Sequence, residues 1–320
     1  MRIVVLDGHT LNPGDNPWDP VREIGETVVH ARTPPELVYE RAREAEIVLT
    51  NKTVLDAATL ARLDRLRYIG VLATGYNVVD TEAARSRRIP VTNIPEYGTD
   101  SVAQHVFAML LELTNRVALH DQAVRAGEWG SCPDFCFWKA PLLELSGKSM
   151  AIVGFGRIGR RVGELAHAFG MGVLAADPDR RVEPSYAPFE WVSVEDAFAR
   201  ADVVSLNCPL TEENRELVSS ALLGRMKRTS YLINAARGPL VREADLAEAL
   251  RSGVIAGAAV DVASREPMTG ANPLLGAPNL LVTPHIAWAT LESRRRLMAA
   301  AAANIRAFLS GSVTNVVNPA

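Results

Sequence analysis

Arginine, glutamate and histidine side chains follow three candidate strands in the second half of the chain. Arg237 lies in NAARGPLV, Glu266 in DVASREPM and His285 in TPHIAW. Because the loops beyond the carboxyl ends of parallel strands line one crevice, the three side chains can converge although 29 and 19 residues separate them. Taken one at a time, they have ordinary alternatives: a surface arginine, a loop glutamate and a capping histidine.

Together the three side chains predict a reaction. A guanidinium can hold a carboxylate through paired hydrogen bonds and polarise a neighbouring carbonyl group. An imidazole can donate a proton to the carbonyl oxygen as a hydride reaches the carbon, and a carboxylate bonded to the second ring nitrogen orients the ring. Arg237, Glu266 and His285 are therefore candidate catalytic residues for reduction of a 2-oxo acid, or for the reverse oxidation of a 2-hydroxy acid.

A glycine-rich turn is a candidate dinucleotide site. In AIVGFGRIGR, Gly154, Gly156 and Gly159 have the G-x-G-x-x-G spacing, after an apolar strand and before a helix that should start near Arg157. The first glycine allows a tight turn, the second lets a pyrophosphate approach the backbone, and the third lets helix and strand pack closely. A glycine-rich turn without a ligand is the alternative.

An acidic residue follows the glycine turn at the distance expected for a ribose contact. Asp177 lies 18 residues after Gly159, at the end of the next candidate strand. A carboxylate there accepts hydrogen bonds from the ribose hydroxyls of the adenosine and repels a 2′-phosphate, which favours NAD over NADP. The nearby Arg180 and Arg181 could soften this preference, and a turn-forming Asp-Pro pair is the alternative interpretation of Asp177.

Short apolar runs alternate with helical stretches along both halves of the chain. The candidate strands are residues 2–6, 27–31, 46–50 and 68–73 in the first half, and 150–154, 172–176, 202–206, 230–235, 254–260 and 279–283 in the second. This alternation predicts an α/β protein with two Rossmann-like or flavodoxin-like lobes and parallel sheets. A long, largely apolar helix is predicted between them, over residues 99–129.

The bulk composition narrows the class of protein. The 320 residues carry 34 basic and 37 acidic side chains, a net charge of −3, which argues against a broad nucleic-acid-binding face. The three cysteines cannot all pair with one another and lack metal-ligand spacing, which indicates reduced thiols and no metal site. No apolar run is long enough to span a bilayer, so we expect a soluble cytoplasmic protein without membrane partners.

At these motifs the chain resembles the NAD-dependent 2-hydroxyacid dehydrogenases that are specific for the D isomer. The resemblance covers nearly the whole chain, through LATGYNVVD, GTDSVAQHVFAMLL, LSGKSMAIVGFGRIG, NAARGPLV, AAVDVASREP and TPHIAWAT. It implies that Arg237 binds and activates the substrate, that Glu266 is the partner of the histidine, and that His285 is the general acid and base.

The resemblance also implies an architecture. A substrate domain would comprise residues 1–100 and 286–320, and an NAD-binding Rossmann domain would comprise residues 101–285, with the active site in the cleft between the lobes. Members of the family are usually homodimers that associate through the nucleotide domain, so we expect a homodimer. The helix after Thr99 matches the interdomain and dimer segment of the family.

Individual contacts follow from the same resemblance. Backbone groups of Ala73, Thr74 and Gly75 would bind the substrate carboxylate, and Asp261 would lie near the nicotinamide amide. The full set of implied cofactor contacts is Thr99, Val102, Gly154, Gly156, Arg157, Ile158, Gly159, Asp177, Cys208, Pro209, Ala235, Ala236, Arg237, Asp261 and His285.

One stretch departs from the family pattern. Many members have His-x-Pro where this chain has NCPL, with Cys208 and Pro209 at its centre. The backbone role of this stretch should survive, whereas the side chain that faces the adenine side is less defined. Cys208 could confer sensitivity to thiol reagents, or it could be an ordinary packed side chain.

Two further stretches bear on the substrate. TNKTVL and HIAWAT resemble the hydroxypyruvate reductase and glycerate dehydrogenase branch. Lys52 could add positive charge beside a small oxo acid or be a solvated loop lysine, and Trp288 could wall the substrate pocket or pack against the helix between the lobes. Hydroxypyruvate and glyoxylate are therefore the expected substrates. A phosphite dehydrogenase would use the same type of triad, and an NAD-sensing corepressor would share the fold and motifs, so both alternatives stay open.

Overall fold

The structure, a computed structural model, describes residues 1–319, which divide into two compact units. The first unit comprises residues 1–98 and 289–319, and the second comprises Thr99–Trp288. Each unit is built on one sheet whose strand pairs are all parallel. The predicted α/β class with parallel sheets in both lobes is thereby confirmed.

The first unit contains a five-stranded sheet with the order β2-β1-β3-β4-β5. The strands are β1 (Arg2–Val5), β2 (Glu26–Val29), β3 (Ile47–Thr50), β4 (Tyr68–Val71) and β5 (Val91–Thr92). Strands β3 and β4 are buried at every residue, as expected for parallel strands that are covered on both faces. The order is the flavodoxin-like one, in which the direction of sheet growth reverses between β1 and β3.

Short helices and one long C-terminal helix surround this sheet. The short ones are α1 (Asp19–Arg22), α2 (Val38–Ala42), α3 (Ala57–Leu60) and α4 (Thr81–Ser86), and the C-terminal helix is Leu291–Leu309. Aspartate side chains cap the N-termini of α3 and α4. Asp56 accepts a hydrogen bond from the amide of Thr59 at 2.8 Å, and Asp80 accepts one from the amide of Ala83 at 2.9 Å. The C-terminal helix packs against α1 and β4.

The second unit contains a seven-stranded sheet with the order β12-β11-β10-β9-β6-β7-β8. The strands are β6 (Ser149–Val153), β7 (Gly172–Ala176), β8 (Phe189–Trp191), β9 (Val203–Leu206), β10 (Tyr231–Asn234), β11 (Gly257–Val260) and β12 (Leu280–Val282). Growth of this sheet reverses between β6 and β9, which is the Rossmann arrangement. The carboxyl ends of β6 and β9 therefore flank the switch point, where doubly wound sheets bind ligands.

Helices cover both faces of the second sheet. They are α5 (Thr99–Asn115), α6 (Val117–Arg125), α7 (Arg157–Ala168), α8 (Val194–Arg200), α9 (Ser220–Leu223) and α10 (Glu243–Arg251). Alternate residues of β6 join different apolar clusters: Ala151 and Val153 lie in one, and Met150 and Ile152 in the other. The sheet is thus buried between two layers, with α5 packed on α7 in one of them.

The prediction of one helix over residues 99–129 is wrong. Arg116 adopts a left-handed conformation with φ of 49°, which separates α5 from α6. A single left-handed residue ends a right-handed helix because its peptide groups no longer align with the preceding turn. Gly127, with φ of 85°, lies two residues after α6, and the amide of Glu128 bonds back to the carbonyl of Ala123, which terminates the second helix.

Each of the ten predicted strands overlaps an observed strand, and most of the observed strands are one to three residues shorter than predicted. The short strands β5 and β8 were missed. Within residues 1–319, no helix combines the length and apolar character that a membrane crossing needs. The same residues include no cluster of three or more His, Cys, Asp or Glu side chains suited to a metal ion, and all three cysteines are free thiols.

Candidate active site

The candidate residues of the second unit lie along one edge of its sheet. Gly154 directly follows β6, Asp177 follows β7, and the stretch 207–210 follows β9. Ala235 to Arg237 follow β10, and Asp261 follows β11. Because all strands are parallel, these positions share the carboxyl edge of the sheet, where ligands of doubly wound folds bind.

Two glycines of the turn after β6 are required by the protein's own packing. Gly154 has φ of +92°, and a Cβ atom there would lie 2.4 Å from the amide nitrogen of Cys208. A Cβ atom on Gly159 would lie 2.0 Å from the carbonyl oxygen of Gly154. Larger residues at either position would push α7 and the stretch after β9 away from β6.

Gly156 is different, because its own backbone and the described residues around it would accept a side chain there. Its φ of −71° is open to any residue, and a Cβ atom would meet no atom of residues 1–319 within 4 Å. It immediately precedes α7, which begins at Arg157 as predicted. The missing side chain leaves free the approach to the first amides of α7, where Arg157 and Ile158 lie, and helix N-termini bind anions. These residues fit the pyrophosphate of a dinucleotide.

The carboxylate of Asp177 ties the glycine turn to the end of β7. Its Oδ2 accepts the amide of Phe155 at 2.6 Å, and its Oδ1 accepts the amide of Asp179 at 2.7 Å. The carboxylate is thereby held, half-buried, beside the first turn of the dinucleotide motif.

Arg180 and Arg181, whose positive charges could favour NADP, both interact with other groups of the protein. Arg181 forms a bidentate pair with Asp179 at 2.8 and 2.7 Å, and this pair lowers the pKa of Asp179 to about 2. Arg180 donates to the carbonyl of Val192 at 3.3 Å and lies 6.0 Å from the ring centre of Trp191. Their charges are therefore partly satisfied within the protein.

Cys208 is packed rather than displayed at the surface. It is partly buried against the apolar cluster that includes Val153, and burial raises the pKa of its thiol above the ordinary value, with a further contribution from the Asp177 carboxylate. The preceding residue, Asn207, donates its amide to the carbonyl of Val153 at 2.7 Å. The stretch with Cys208 and Pro209 thus stays aligned with the end of β6.

Arg237 stands on a turn that a buried asparagine shapes. Asn234 donates to the carbonyl of Arg237 at 2.9 Å and accepts the amide of Ala236 at 3.0 Å. The Arg237 guanidinium is exposed and donates to the carbonyl of Ala236 at 2.7 Å. Gly238 must be glycine, because a Cβ atom there would lie 1.9 Å from the carbonyl carbon of Ala263. The arginine turn is thereby packed against the loop that leads to Glu266.

The histidine and glutamate come together as a hydrogen-bonded pair. The Nδ1 atom of His285 lies 2.6 Å from Oε2 of Glu266, while Oε1 of Glu266 accepts the amide of Ala263 at 3.0 Å. The side chains keep 31% and 35% exposure, so the pair is accessible to a ligand. The carboxylate orients the imidazole through Nδ1, which leaves Nε2 as the ring atom for proton transfer.

Asp261 organises the backbone around the histidine. Its buried carboxylate accepts the hydroxyl of Thr283 at 2.6 Å and the amides of Ile286 at 2.9 Å and Ala287 at 2.8 Å. Burial raises the pKa of Asp261, but hydrogen bonds from His105, Thr283 and the two amides outweigh it and hold the pKa below its ordinary value. The carboxylate therefore stays charged and fixes the turn that carries His285.

The backbone of His285 is itself unusual. Its φ of +56° places it in the left-handed region, which a residue with a Cβ atom rarely adopts. The amide of His285 donates to the carbonyl of Asp261 at 2.7 Å. Several bonds from one aspartate thus hold a conformation that costs energy, a pattern that is common at functional sites.

The start of α5 joins the same turn. The hydroxyl of Ser101 donates to the carbonyl of Ala287 at 2.6 Å, and Nε2 of His105 lies 3.0 Å from the hydroxyl of Thr283. Thr99 and Val102 lie on the first turn of this helix, half-buried and buried respectively. Trp288 is the last residue of the unit and is half-buried.

Sequence reasoning missed five residues of this arrangement: Asn234, Gly238, Ser101, His105 and Thr283. The NAARGP stretch contained a signal for the first two, because an asparagine and a glycine that bracket an arginine after a strand are typical turn residues. Ser101 and His105 gave no local signal, since their partners lie more than 170 residues away.

The candidate substrate residues of the first unit share the carboxyl edge of that unit's sheet. Lys52 follows β3, and the turn 73–75 follows β4, which pairs directly with β3. The hydroxyl of Thr74 donates to the carbonyl of Ile94 at 3.0 Å, and Asn93 donates to the carbonyl of Thr74 at 2.7 Å. The turn is therefore held by the chain that follows β5.

Known proteins are similar to this chain over nearly its whole length. Residues 107–287 match the family model described as D-isomer specific 2-hydroxyacid dehydrogenase, NAD binding domain. A hydroxypyruvate reductase of Blautia hydrogenotrophica is 47% identical over 99% of this chain and 100% of its own length. A glycerate dehydrogenase of Methylorubrum extorquens is 36% identical over 99% of this chain and 98% of its own.

A solved structure matches over the full chain as well. The D-lactate dehydrogenase of Aquifex aeolicus, complexed with NAD and lactic acid, is 25% identical, with a TM-score of 0.85 and coverage of 100% of both chains. Fold, glycine turn and comparisons together define an NAD-dependent oxidoreductase. The chain belongs to the D-isomer specific 2-hydroxyacid dehydrogenase family. The family and the cofactor predicted from the sequence are confirmed.

Proposed function

We propose that this enzyme reduces a small 2-oxo acid, hydroxypyruvate or glyoxylate, to the D-2-hydroxy acid with NADH, and catalyses the reverse reaction. The observation that carries the proposal is the contact of 2.6 Å between His285 and Glu266, at the same sheet edge as the glycine turn and Arg237. The choice of substrate is supported by relatives named hydroxypyruvate reductase, glycerate dehydrogenase and glyoxylate reductase.

Each catalytic side chain has one task. Bound NADH supplies the hydride. The Arg237 guanidinium holds the substrate carboxylate and draws electron density from the adjacent carbonyl. Nε2 of His285 donates a proton to the carbonyl oxygen, and takes it back in the oxidation direction. Glu266 keeps the ring oriented and stabilises the charged imidazolium through Nδ1.

The cofactor contacts are part of the same proposal. The pyrophosphate would lie against Gly156, Arg157 and Ile158, with Gly154 and Gly159 shaping the turn, and Asp177 would accept the ribose hydroxyls. The remaining proposed contacts are Thr99, Val102, Cys208, Pro209, Ala235, Ala236, Arg237, Asp261 and His285.

The proposed substrate contacts suit a small, polar acid. Backbone groups of Ala73, Thr74 and Gly75 would bind the substrate carboxylate, Lys52 would add positive charge, and Trp288 would bound the pocket on one side. A substrate as small as hydroxypyruvate needs charged and hydrogen-bonding groups more than apolar surface.

We further propose that the enzyme is a cytoplasmic homodimer. The segment from Val117 to Leu142 exposes several large apolar side chains, among them Trp129 at 52%, Phe135 at 89% and Trp138 at 67%. Apolar side chains concentrated in one exposed segment are typical of a protein interface. Light scattering of the purified protein tests this, with a mass near twice 34.7 kDa as the expected result. The three free thiols suit a reducing compartment.

An assay of NADH oxidation tests the catalytic proposal. The purified protein is offered hydroxypyruvate, glyoxylate, pyruvate and phenylpyruvate, each with NADH and then with NADPH. Fast turnover of hydroxypyruvate or glyoxylate with NADH is the expected result. No NADH oxidation with any of the four oxo acids, in a protein that still binds NADH, would contradict the proposal. It would favour phosphite as substrate, or a corepressor-like protein that binds NAD as a signal.

A further inference from the structure

The loop after β3 lies at the switch point of the first sheet. In the order β2-β1-β3-β4-β5, growth reverses between β1 and β3, whose carboxyl ends lie side by side through the pairing of Val5 with Leu49. Chain segments that leave such neighbouring strands diverge to opposite faces and open a crevice for ligands. Asp7 lies two residues after β1, and Lys52 lies two residues after β3.

The carboxylate of Asp7 binds three successive amides of this loop. Its Oδ1 accepts the amide of Asn51 at 2.7 Å, and its Oδ2 accepts the amides of Lys52 at 2.5 Å and Thr53 at 2.8 Å. Successive amides that converge on one point form an anion-binding concavity. In this protein the concavity is filled by a side chain of the same unit, across 44 to 46 residues of sequence.

Neighbouring bonds make the loop rigid on both sides of Lys52. The side chain of Asn51 is buried and donates to the hydroxyl of Thr10 at 3.0 Å, and the hydroxyl of Thr50 donates to the carbonyl of Thr53 at 2.7 Å. The backbone of Lys52 therefore has little freedom, while its side chain is exposed. Because Asp7 occupies the amides, the ammonium of Lys52 is the cationic group with which this loop can meet an anionic substrate.

We propose that Asp7 is a positioning residue that sets the affinity for the substrate by fixing the backbone from which Lys52 extends. This inference rests on the proposed reduction of a small 2-oxo acid. A lysine on a mobile loop loses much conformational freedom when it binds a ligand, whereas one on a fixed backbone loses less. Asp7 itself does not contact the substrate.

The proposal predicts that Asp7→Asn changes the KM for hydroxypyruvate in the direction opposite to the one that electrostatics alone predicts. Asp7→Asn removes a negative charge near Lys52, so through charge alone an anionic substrate would bind more tightly. Through positioning, the substitution loses at least one of the three bonds to the amides, and the KM for hydroxypyruvate rises. The direction of the change in KM therefore distinguishes the two effects.

The experiment compares Asp7→Asn, Lys52→Ala and the double variant with the wild type, with hydroxypyruvate and NADH. We expect Asp7→Asn to raise the KM for hydroxypyruvate by about tenfold. The kcat should stay within about twofold of the wild-type value, and the Kd for NADH should be unchanged. In the Lys52→Ala background, Asp7→Asn should add little, since the two act as one unit. Asp80→Asn, which alters an aspartate that also accepts a backbone amide, is the matched control and should leave KM unchanged.

Several outcomes would overturn the inference. A lower KM in Asp7→Asn, or an effect fully additive with Lys52→Ala, would remove the positioning role. Should Asp7→Asn fail to fold, Lys52→Ala alone decides, since an unchanged KM in that variant is incompatible with the proposal. If the wild-type protein reduces none of the oxo acids, the proposed function itself is overturned. The failure of the Asp7 proposal and the failure of the proposed function are therefore distinguishable.

Discussion

Nδ1 of His285 and Oε2 of Glu266 lie 2.6 Å apart, in two loops that follow adjacent strands of the second sheet. The contact orients the imidazole, and the left-handed backbone of His285 displays it at the sheet edge. An acid and base held in this way should contribute to the chemical step and little to cofactor affinity.

Replacement of His285 should therefore separate catalysis from binding. His285→Ala is expected to lower kcat by about a hundredfold to ten-thousandfold, the range for general acid–base catalysis, while the Kd for NADH stays unchanged. Steady-state rates and NADH fluorescence titration measure the two quantities. His167→Ala, an exposed histidine near the end of α7, is the control. Normal turnover in His285→Ala would remove the catalytic assignment.

The ribose contact of Asp177 can be tested through cofactor preference. Asp177→Ala removes the carboxylate that would bind the ribose hydroxyls and repel a 2′-phosphate. The value of kcat/KM for NADH should therefore fall, and the ratio of kcat/KM for NADH to kcat/KM for NADPH should decrease by about tenfold. Glu195→Ala, which removes an exposed acid on α8, is the control, because it leaves both the Asp177 carboxylate and the pair of Asp179 with Arg181 in place. An unaltered ratio in Asp177→Ala would mean that Asp177 serves the turn alone, through Phe155 and Asp179.

Acid stability should depend on an ion pair of the first unit. Arg294 donates to both carboxylate oxygens of Asp15, at 2.5 and 2.7 Å, and this pair holds the pKa of Asp15 below its ordinary value of 3.8. A lowered native pKa stabilises the fold above the unfolded-state pKa, and the stabilisation disappears as the pH falls through the native value.

Asp15→Asn is therefore expected to lower the Tm at neutral pH, and the difference from the wild type should shrink only below about pH 4. Thermal unfolding monitored by circular dichroism across this range measures it, with Asp19→Asn as the control. A difference that is the same at all pH values would show that the charge of Asp15 contributes nothing.

Thiol reagents should discriminate among the three cysteines. Burial raises the pKa of the Cys208 thiol, so less of it is the reactive thiolate near neutral pH, whereas Cys136 is exposed. With limiting iodoacetamide, mass spectrometry should find Cys136 alkylated before Cys208. Cys208 reacting first would contradict the packed interpretation.

Local sequence patterns predicted the strands of the sheets well, and they failed where the pattern was short or the backbone irregular. Apolar runs of four or five residues identified β1, β3 and β6, because a strand buried on both faces must be apolar throughout. The two residues of β5 and the three of β8 are too few to show a period. The break at Arg116 lay within a continuous helical pattern, and no glycine or proline marked it.

The sequence by itself determined the classes of residue available: glycines at dinucleotide spacing, an acid after the next strand, and an arginine, a glutamate and a histidine after later strands. Spacing along the chain is enough for these, since each depends on the element that precedes it. Tertiary structure alone decided how they are held. Asp261 supports the histidine turn, Asn234 shapes the arginine turn, and Asp7 fixes the Lys52 loop through bonds between residues far apart in sequence. A hydrogen-bond partner is set by which strand ends become neighbours, and this depends on the order of strands in the folded sheet.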